Sequence, residues 1–429
     1  MRLHRAAACA CARLDAHAAA RVEVRGDRCI EGHVEPRIEA RVQRCVDVRA
    51  GLRRVALAMA GAIAGLSGAA HAAPCAWPQY DAWLAKVMQN DGRALDVDTK
   101  RRQSTSEGQS YAMFFALVAN DRATFDRALD WTRRNLAGGV FGPDGAHLPA
   151  WQWGRRDDGN DGVVDPNSAS DSDLWLAYDL LEAGRLWRES GYTRTALALM
   201  SQIRANETVA LPGVGTMLLP GSSGFYQNGV ARVNPSYTPA FVLRRLALED
   251  PQGPWTAIAT NATEMMRIVS PRGYAPDWAA FRVGQGYVVD PVAGDAGSYD
   301  AIRTYLWAAL TARGDPLGAR QLAILGGMRA AFDATAALPE RVATLTGVVS
   351  GTAPVGFWAA LLPYFNAFSD ARGIAAAQQH LASDFAQARY YDRALALFGT
   401  GAFEQRYRFD VQGRLEPRWE AACQSDNAR

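Results

Sequence analysis

Residues 104–118 read STSEGQSYAMFFALV, a polar junction followed at once by apolar residues. Tyr111, Phe114 and Phe115 fall on one face of a helix, because residues three and four positions apart are neighbours on a helix surface. The same pattern recurs through residues 78–400, where clusters of Pro, Gly, Asn and Asp separate the apolar segments. This repetition predicts an all-α protein.

The segments arrive one after another, and no alternation of strand and helix appears. Consecutive helices without a sheet pack in pairs around one core, either as six hairpins closed into an (α/α)6 barrel or as an open solenoid. Periodicity leaves that choice open. Short strands are expected in loops, from Leu211 to Gly224 and from Tyr407 to Gly413. The predicted helices lie near residues 78–90, 108–120, 122–136, 171–190, 192–208, 235–248, 251–270, 297–313, 315–332, 354–369, 371–385 and 389–400.

The start of the chain has a different character. Residues 1–52 are rich in Arg, Ala and Cys without a sustained apolar face, so we predict an N-terminal extension or leader there. Residues 53–72 contain the parts of a secretory signal, namely a basic pair, the short apolar run Val55–Ala64 and Ala70-His71-Ala72. The run is too short to span a bilayer, and its many small residues argue against a buried helix. We therefore predict a periplasmic or secreted protein with one domain, residues 73–429.

Removal of this segment changes the composition. The full chain of 429 residues has 46 Lys and Arg against 44 Asp and Glu. Residues 1–72 hold twelve Arg and seven acidic residues, which leaves 34 basic and 37 acidic residues in the remainder. The remainder is mildly acidic, and the net charge of only +2 for the full chain argues against a nucleic-acid partner, which normally requires a basic face.

Few cysteines and histidines remain after residue 72. Cys75 and Cys423 lie near the two ends, and we predict a disulfide between them, as an oxidising compartment favours. His147 and His380 are far apart in sequence, which argues against a zinc site or a Ser-His-Asp triad. No phosphate-binding or dinucleotide motif is present. We predict neither a metal nor a cofactor.

Three junctions between a loop and a predicted helix combine acids with polar residues. They contain Glu107, the pair Asp171 and Asp173, and Asp300 followed by Arg303. Each one alone is explained by helix capping, since acids in a first turn interact favourably with the helix dipole. Asp300 and Arg303 are three residues apart and can pair on one helix face, either as a surface ion pair or to orient the carboxylate.

Aromatic residues accompany these junctions, and the chain contains twelve Trp. Trp and Tyr mostly fill cores, but their flat faces also stack on sugar rings. Paired carboxylates with aromatic platforms suit hydrolysis of a glycosidic bond. The candidate substrate-binding aromatics are Trp151, Trp153, Trp175, Tyr237, Trp278 and Tyr299.

Several motifs together resemble glycoside hydrolase family 8, over residues 75–423. The resemblance extends to the branch of that family found with bacterial cellulose synthesis. The motifs are Ser106-Glu107-Gly108-Gln109-Ser110-Tyr111, Ala119-Asn120-Asp121-Arg122, Leu129-Asp130-Trp131-Thr132, Leu148-Pro149-Ala150-Trp151, Asn167 to Asp171, Leu181 to Trp187, Met217 to Gly221, Asn234-Pro235-Ser236-Tyr237, Ser298 to Arg303, and Gly356-Phe357.

The resemblance implies an (α/α)6 barrel with an open groove for a β-1,4-glucan such as cellulose. It assigns Glu107 as general acid, Asp300 as the base that activates water, and Asp171 as the carboxylate that grips and distorts the central sugar. Arg303 and Tyr237 match residues that hold the base and the water. Ser172 is a departure, since the family usually has Ala or Gly there.

The implied mechanism inverts the anomeric carbon. A protonated Glu107 with a raised pKa donates to the leaving oxygen, and Asp300, kept ionised beside Arg303, takes a proton from water. The two carboxyls are then expected to lie roughly 6.5–9.5 Å apart, to leave room for that water.

Two alternatives remain open at this level. One is a glucan-binding component of an export machine without catalysis, and the other is the same chemistry on chitosan, xylan or mixed-linkage glucan. For partners, we expect the glucan chain, contact with the cellulose-synthase complex, no membrane span after signal removal and a monomeric state.

Overall fold

The structure, a computed structural model, describes residues 76–419. The predicted leader (1–52), the predicted signal (53–72) and both cysteines of the predicted disulfide, Cys75 and Cys423, lie outside these residues. In the described part no helix combines the length and the apolar character that a bilayer span requires.

The thirteen α-helices of the described residues follow the predicted pattern. They are α1 (Pro78–Val87), α2 (Ser106–Val118), α3 (Arg122–Asn135), α4 (Ser170–Leu186), α5 (Ser190–Asn206), α6 (Ala240–Glu249), α7 (Trp255–Val269), α8 (Ala301–Leu310), α9 (Pro316–Ile324), α10 (Gly327–Thr335), α11 (Val355–Ala367), α12 (Ala371–Asp384) and α13 (Tyr390–Phe403).

Six of them form an inner ring, α2, α4, α6, α8, α11 and α13, in which each helix contacts the next along the chain. The ring closes between its last and first members, because the ring centroids of Tyr111 and Phe398 lie 4.8 Å apart. Each inner helix packs against an outer one, in order α3, α5, α7, α9, α12 and, for α13, α1. Six helical hairpins thus close into a barrel, and the fold prediction is confirmed.

Burial distinguishes the two layers. On α2 every residue except Glu107 is buried, as the inner position between neighbouring helices requires. On the outer helix α3 the buried residues form one stripe, which includes Phe125, Ala128 and Trp131. The barrel centre is aromatic, with Trp175 of α4 contacting Phe114, Trp307 and other rings at centroid distances of 5.0 and 5.3 Å.

The predicted helix 315–332 is interrupted, and this detail of the prediction is wrong. The chain turns after Leu325, and the Gly327 amide donates to the Gly273 carbonyl at 3.0 Å. A Cβ atom on Gly327 would lie only 2.7 Å from that carbonyl oxygen. The glycine therefore permits a backbone approach that a continuous helix could not make.

The described loops contain sixteen short strands, which form six antiparallel sheets. One sheet joins Ser104–Thr105, just before α2, to Gln152–Arg155 and Asp161–Asp165, just before α4. It fixes the first two acidic junctions relative to each other. The other strands are Phe141–Gly142, Gly145–Ala146, Thr208–Leu211, Gly215–Leu218, Tyr226–Gln227, Val230–Val233, Ala279–Arg282, Gly286–Val289, Ala296–Gly297, Arg341–Ala343, Val348–Ser350, Tyr407–Phe409 and Leu415–Pro417.

Candidate active site

Arg303 brings the three predicted carboxylates together. It lies in the first turn of α8 and is only 3% exposed. Its Nη1 forms an ion pair with Glu107, while its Nη2 lies 3.1 Å from Asp300 Oδ1 and 3.6 Å from Asp171 Oδ2. The N-terminal ends of α2, α4 and α8 therefore meet at one end of the barrel, where their amide dipoles favour negative charge.

Glu107 is the one residue of α2 that is not buried, and 25% of its side chain is exposed. The Thr105 hydroxyl caps the helix by accepting the Gly108 amide at 3.0 Å. A Cβ on Gly108 would come within 2.2 Å of the Tyr390 hydroxyl, so the glycine lets α13 approach beside the acid. The expected capping structure is present, and the Thr105 hydroxyl rather than the Glu107 carboxyl provides the cap.

Asp171 is held at the start of α4 and is 5% exposed. Its Oδ1 accepts the Ser172 amide at 2.8 Å and the Ser172 hydroxyl at 3.3 Å. The serine at the position that departs from the family pattern therefore supports the carboxylate. Main-chain bonds from Ser106 to Trp151 and from Trp151 to Asn167, 3.1 and 2.7 Å long, connect this junction to that of Glu107.

Asp300 lies immediately before α8. Its Oδ2 accepts the Trp278 indole N–H at 3.0 Å, which leaves Oδ1 for Arg303. Asp277 holds the turn at the start of α8. Its Oδ1 accepts the amides of Ser298, Asp300 and Ala301 at 2.7, 3.1 and 2.8 Å. The base candidate is thus fixed through both its side chain and its backbone.

The environment raises the pKa values of two of the acids. Burial raises the pKa of Asp300 to about 7, and the charges of Asp277 and Asp171 add to the shift. Burial also raises the pKa of Asp171 to about 6. The expectation that Arg303 simply keeps Asp300 ionised is therefore not met, since one guanidinium serves three carboxylates.

Four of the six predicted aromatics lie next to this cluster. Tyr237 is partly buried with the Arg303 guanidinium 5.8 Å from its ring centroid, and Trp278 is 6.0 Å from Tyr237. Tyr299 is 46% exposed beside the base. Trp151 is half-buried at the junction between Glu107 and Asp171.

The remaining two aromatics have other surroundings. Trp153 is half-buried, packs against Trp131 at 5.5 Å and carries the Arg93 guanidinium 4.2 Å from its ring centroid. Trp175 is 1% exposed in the aromatic core, and its prediction as a sugar platform is wrong. It follows Asp171 by four residues, about 6 Å along the helix, which places it deeper in the barrel.

Sequence reasoning missed three members of the site. Asp277 lies more than twenty residues before the helix end that it supports, so no local pattern indicates it. Ser236 donates to Asn234 Oδ1 at 2.8 Å and accepts from Arg303 at 3.2 Å. Phe225 stacks on Trp278 at 5.9 Å and 12°. Only Ser236 carried a signal, through its place in the Asn234 to Tyr237 motif.

No group of three His, Cys, Asp or Glu side chains in residues 76–419 is arranged to hold a metal ion. The described carboxylates are instead organised around a guanidinium.

Comparison with known proteins agrees with this geometry. The family model "Glycosyl hydrolases family 8" matches residues 54–405. The chain belongs to glycosyl hydrolase family 8. The prediction of family and of enzyme class, a glycoside hydrolase, is thereby confirmed.

Family 8 relatives cover most of the chain. An endoglucanase of Xanthomonas axonopodis pv. citri is 48% identical over 376 residues, 85% of this chain and 96% of that protein. The endo-1,4-D-glucanase structure from Vibrio fischeri has a TM-score of 0.73 at 38% identity, and the match covers 80% of this chain and 99% of the other. The structure of an endo-β-1,4-glucanase from Acetobacter xylinum has a TM-score of 0.62 at 26% identity, and the match covers 76% of this chain and 97% of the other.

Proposed function

We propose that this glycoside hydrolase is an endo-β-1,4-glucanase that cleaves internal bonds of cellulose with inversion. The observation that carries the proposal is the meeting of Glu107, Asp171 and Asp300 on one buried guanidinium, at the N-terminal ends of three helices. The names of relatives at 40–48% identity support the choice of substrate.

Asp300 acts as the base. Once ionised, it takes a proton from a water whose oxygen bonds to the anomeric carbon, while the carbon–oxygen bond to the departing sugar breaks. The Trp278 indole and Arg303 Nη2 orient the carboxylate through separate oxygens. Because the pKa of Asp300 is about 7, the base becomes competent only as the pH rises toward that value.

Glu107 acts as the acid and donates its proton to the departing glycosidic oxygen. When Glu107 is protonated its ion pair with Arg303 weakens, and the guanidinium is then shared by Asp300 and Asp171. Asp171 grips the sugar between the acid and the base. Each turnover leaves Glu107 ionised and Asp300 protonated, and exchange with solvent restores both.

Glu107→Gln tests the acid, because the amide keeps the shape but has no acidic proton to give. Hydrolysis of carboxymethylcellulose, measured as reducing ends, should fall about 10²–10⁴-fold while glucan binding persists. The matched control is Glu264→Gln, which replaces a carboxylate on the exposed face of α7. This variant should retain full activity. Normal hydrolysis by Glu107→Gln would show that another group is the acid.

Product stereochemistry tests inversion. Proton NMR during early hydrolysis of a β-glucan should show the α-anomer first, as a single displacement by water requires. The β-anomer as first product would exclude Asp300 as a general base for water and would point to a covalent intermediate.

A second substrate, chitosan, is favoured by one observation. A cavity of about 720 Å³ adjoins Tyr299 and is lined by five carboxylates but one guanidinium, that of Arg389. This charge suits a β-1,4-glycan that carries ammonium groups. Parallel reducing-end assays on carboxymethylcellulose, chitosan, xylan and mixed-linkage glucan decide between them. Faster release of reducing ends from chitosan than from carboxymethylcellulose would identify chitosan, and not cellulose, as the substrate.

We further propose export and a role beside cellulose synthesis. Residues 53–72 act as a removable signal, and Cys75 pairs with Cys423 in the oxidising compartment. Cell fractionation with mass spectrometry of the protein's N-terminus and disulfide tests both statements. A protein that keeps residues 1–72 would contradict the signal, and free thiols at Cys75 and Cys423 would contradict the disulfide.

We also propose that the protein associates with a cellulose-synthase complex. In solution by itself it is a monomer. Co-purification with synthase subunits in a producing cell, and light scattering of the purified protein, test these points. A stable dimer alone in solution would contradict the monomeric state, and no recovery of synthase subunits would contradict the association.

A further inference from the structure

Two buried carboxyls behind Asp171 have no part in the mechanism above. Asp173 of α4 and Glu207, which follows α5, are both 0% exposed. Within the described residues no donor reaches either oxygen of Asp173 or Oε2 of Glu207. The two carboxyls are neighbours, and each shifts the pKa of the other.

A hydrogen bond between these two carboxyls would need a proton on one of them. An ionised carboxylate only accepts hydrogen bonds, so two of them facing each other would be buried charges without a donor. Burial raises the pKa of Asp173 well above its usual range and that of Glu207 to about 7, and Asp171 adds negative charge to both. The elements around the pair, residues 167–170 and 219–223, contribute no charged side chain.

The pair fastens the turn that carries Asp171. Glu207 Oε1 accepts the Ser168 hydroxyl at 2.5 Å, and that hydroxyl accepts the Ser222 amide at 3.0 Å. Main-chain bonds from Ser170 to Pro220 and from Leu219 to Glu207, 3.0 and 2.7 Å long, complete the cluster. The start of α4, the end of α5 and residues 219–222 are thus joined in one buried polar unit.

Close packing leaves this unit little room to adjust. A Cβ on Gly221 would lie 2.3 Å from the Ser168 carbonyl oxygen. Asp171 follows Ser168 by three residues, so a change in the unit is transmitted to the carboxylate over less than one helical turn.

We propose that Asp173 and Glu207 share a single proton and form a positioning pair that holds Asp171 against the sugar. The proposal rests on the function proposed above. It implies that the pair carries one negative charge, and that either acid can be exchanged for its amide, because the amide then supplies the donor.

Activity of matched variants tests the positioning. Asp173→Asn and Glu207→Gln should each keep kcat/KM on glucan within about threefold of the unmodified protein. Asp173→Ala and Glu207→Ala should each lower it at least about tenfold, because the remaining buried carboxyl loses the group with which it shares the proton. Amide variants as inactive as the alanine variants, with unchanged thermal unfolding, would overturn the positioning role.

Infrared spectroscopy tests the proton without reference to activity. At pH 8.5, above the pKa values of Asp171 and Asp300, a protonated-carboxyl band should remain in the unmodified protein. The double variant Asp173→Asn/Glu207→Gln should lose one component of it, while the buried Asp179 gives the same background in both proteins. Identical bands would overturn the shared proton. Failure of the unmodified protein to cleave any glycan would instead overturn the proposed function.

Discussion

The two ends of α4 differ in how many cations accompany each buried carboxylate. Near its C-terminal end, Glu182 is 0% exposed and meets Arg185, Arg245 and the Leu415 amide, so both oxygens have donors. At its N-terminal end, Asp171 shares the single guanidinium of Arg303 with two other acids. Two guanidinium groups bind one carboxylate at the C-terminal end. A surplus of acids leaves the other end able to exchange protons, as catalysis requires.

Replacing the guanidinium at each end gives the largest contrast. Arg303→Lys keeps the charge but loses the planar fork that reaches three carboxylates, so kcat/KM should fall about 10²–10³-fold. Arg245→Lys should lower stability and leave the kcat/KM of folded protein nearly unchanged. Steady-state kinetics beside thermal unfolding separates the two, and an active Arg303→Lys protein would remove the contrast.

Glu182→Gln tests whether the C-terminal end is purely structural. Removal of this charge takes away a carboxylate that contacts the buried Arg245 guanidinium, so the free energy of unfolding should fall by up to about 3–5 kcal/mol. Denaturant titration measures the loss. A large change in kcat at a temperature where the variant is folded would contradict the division of roles.

Trp278→Phe sharpens the description of the N-terminal end. The indole hydrogen bond favours ionised Asp300, so its loss should raise the pKa of Asp300. The acid limb of the kcat/KM profile should move to higher pH, by about one unit. If only KM rises and the limb stays in place, Trp278 serves as a sugar platform and does not position the base.

Asp277→Asn should have the smallest effect and the opposite sign. The amide oxygen still accepts the three main-chain amides, but the negative charge that raises the pKa of Asp300 is removed. The acid limb should therefore move to lower pH, by less than about one unit. A shift to higher pH would mean that loosening of the α8 turn outweighs the change in charge.

The sequence predicts those features that depend on local patterns. Helical periodicity finds the hairpins, and acids before helices identify Glu107, Asp171 and Asp300. The prediction of Trp175 as a sugar platform fails, because nearness to Asp171 along a helix does not reveal depth in the barrel. Local patterns also fail for Asp277 and Glu207, because both act on helix ends that are remote in sequence. The break after Leu325 depends on a tertiary contact with Gly273.

Closure of the ring between α2 and α13 has a consequence for biosynthesis. Phe398 packs on Phe115 at 4.7 Å, and the Trp419 indole donates to the Leu117 carbonyl at 3.0 Å. The first inner helix therefore lacks these two partners until nearly the whole chain has been made. Such long-range contacts slow folding. Closure of the barrel therefore waits for the C-terminal residues, which suits the export proposed above.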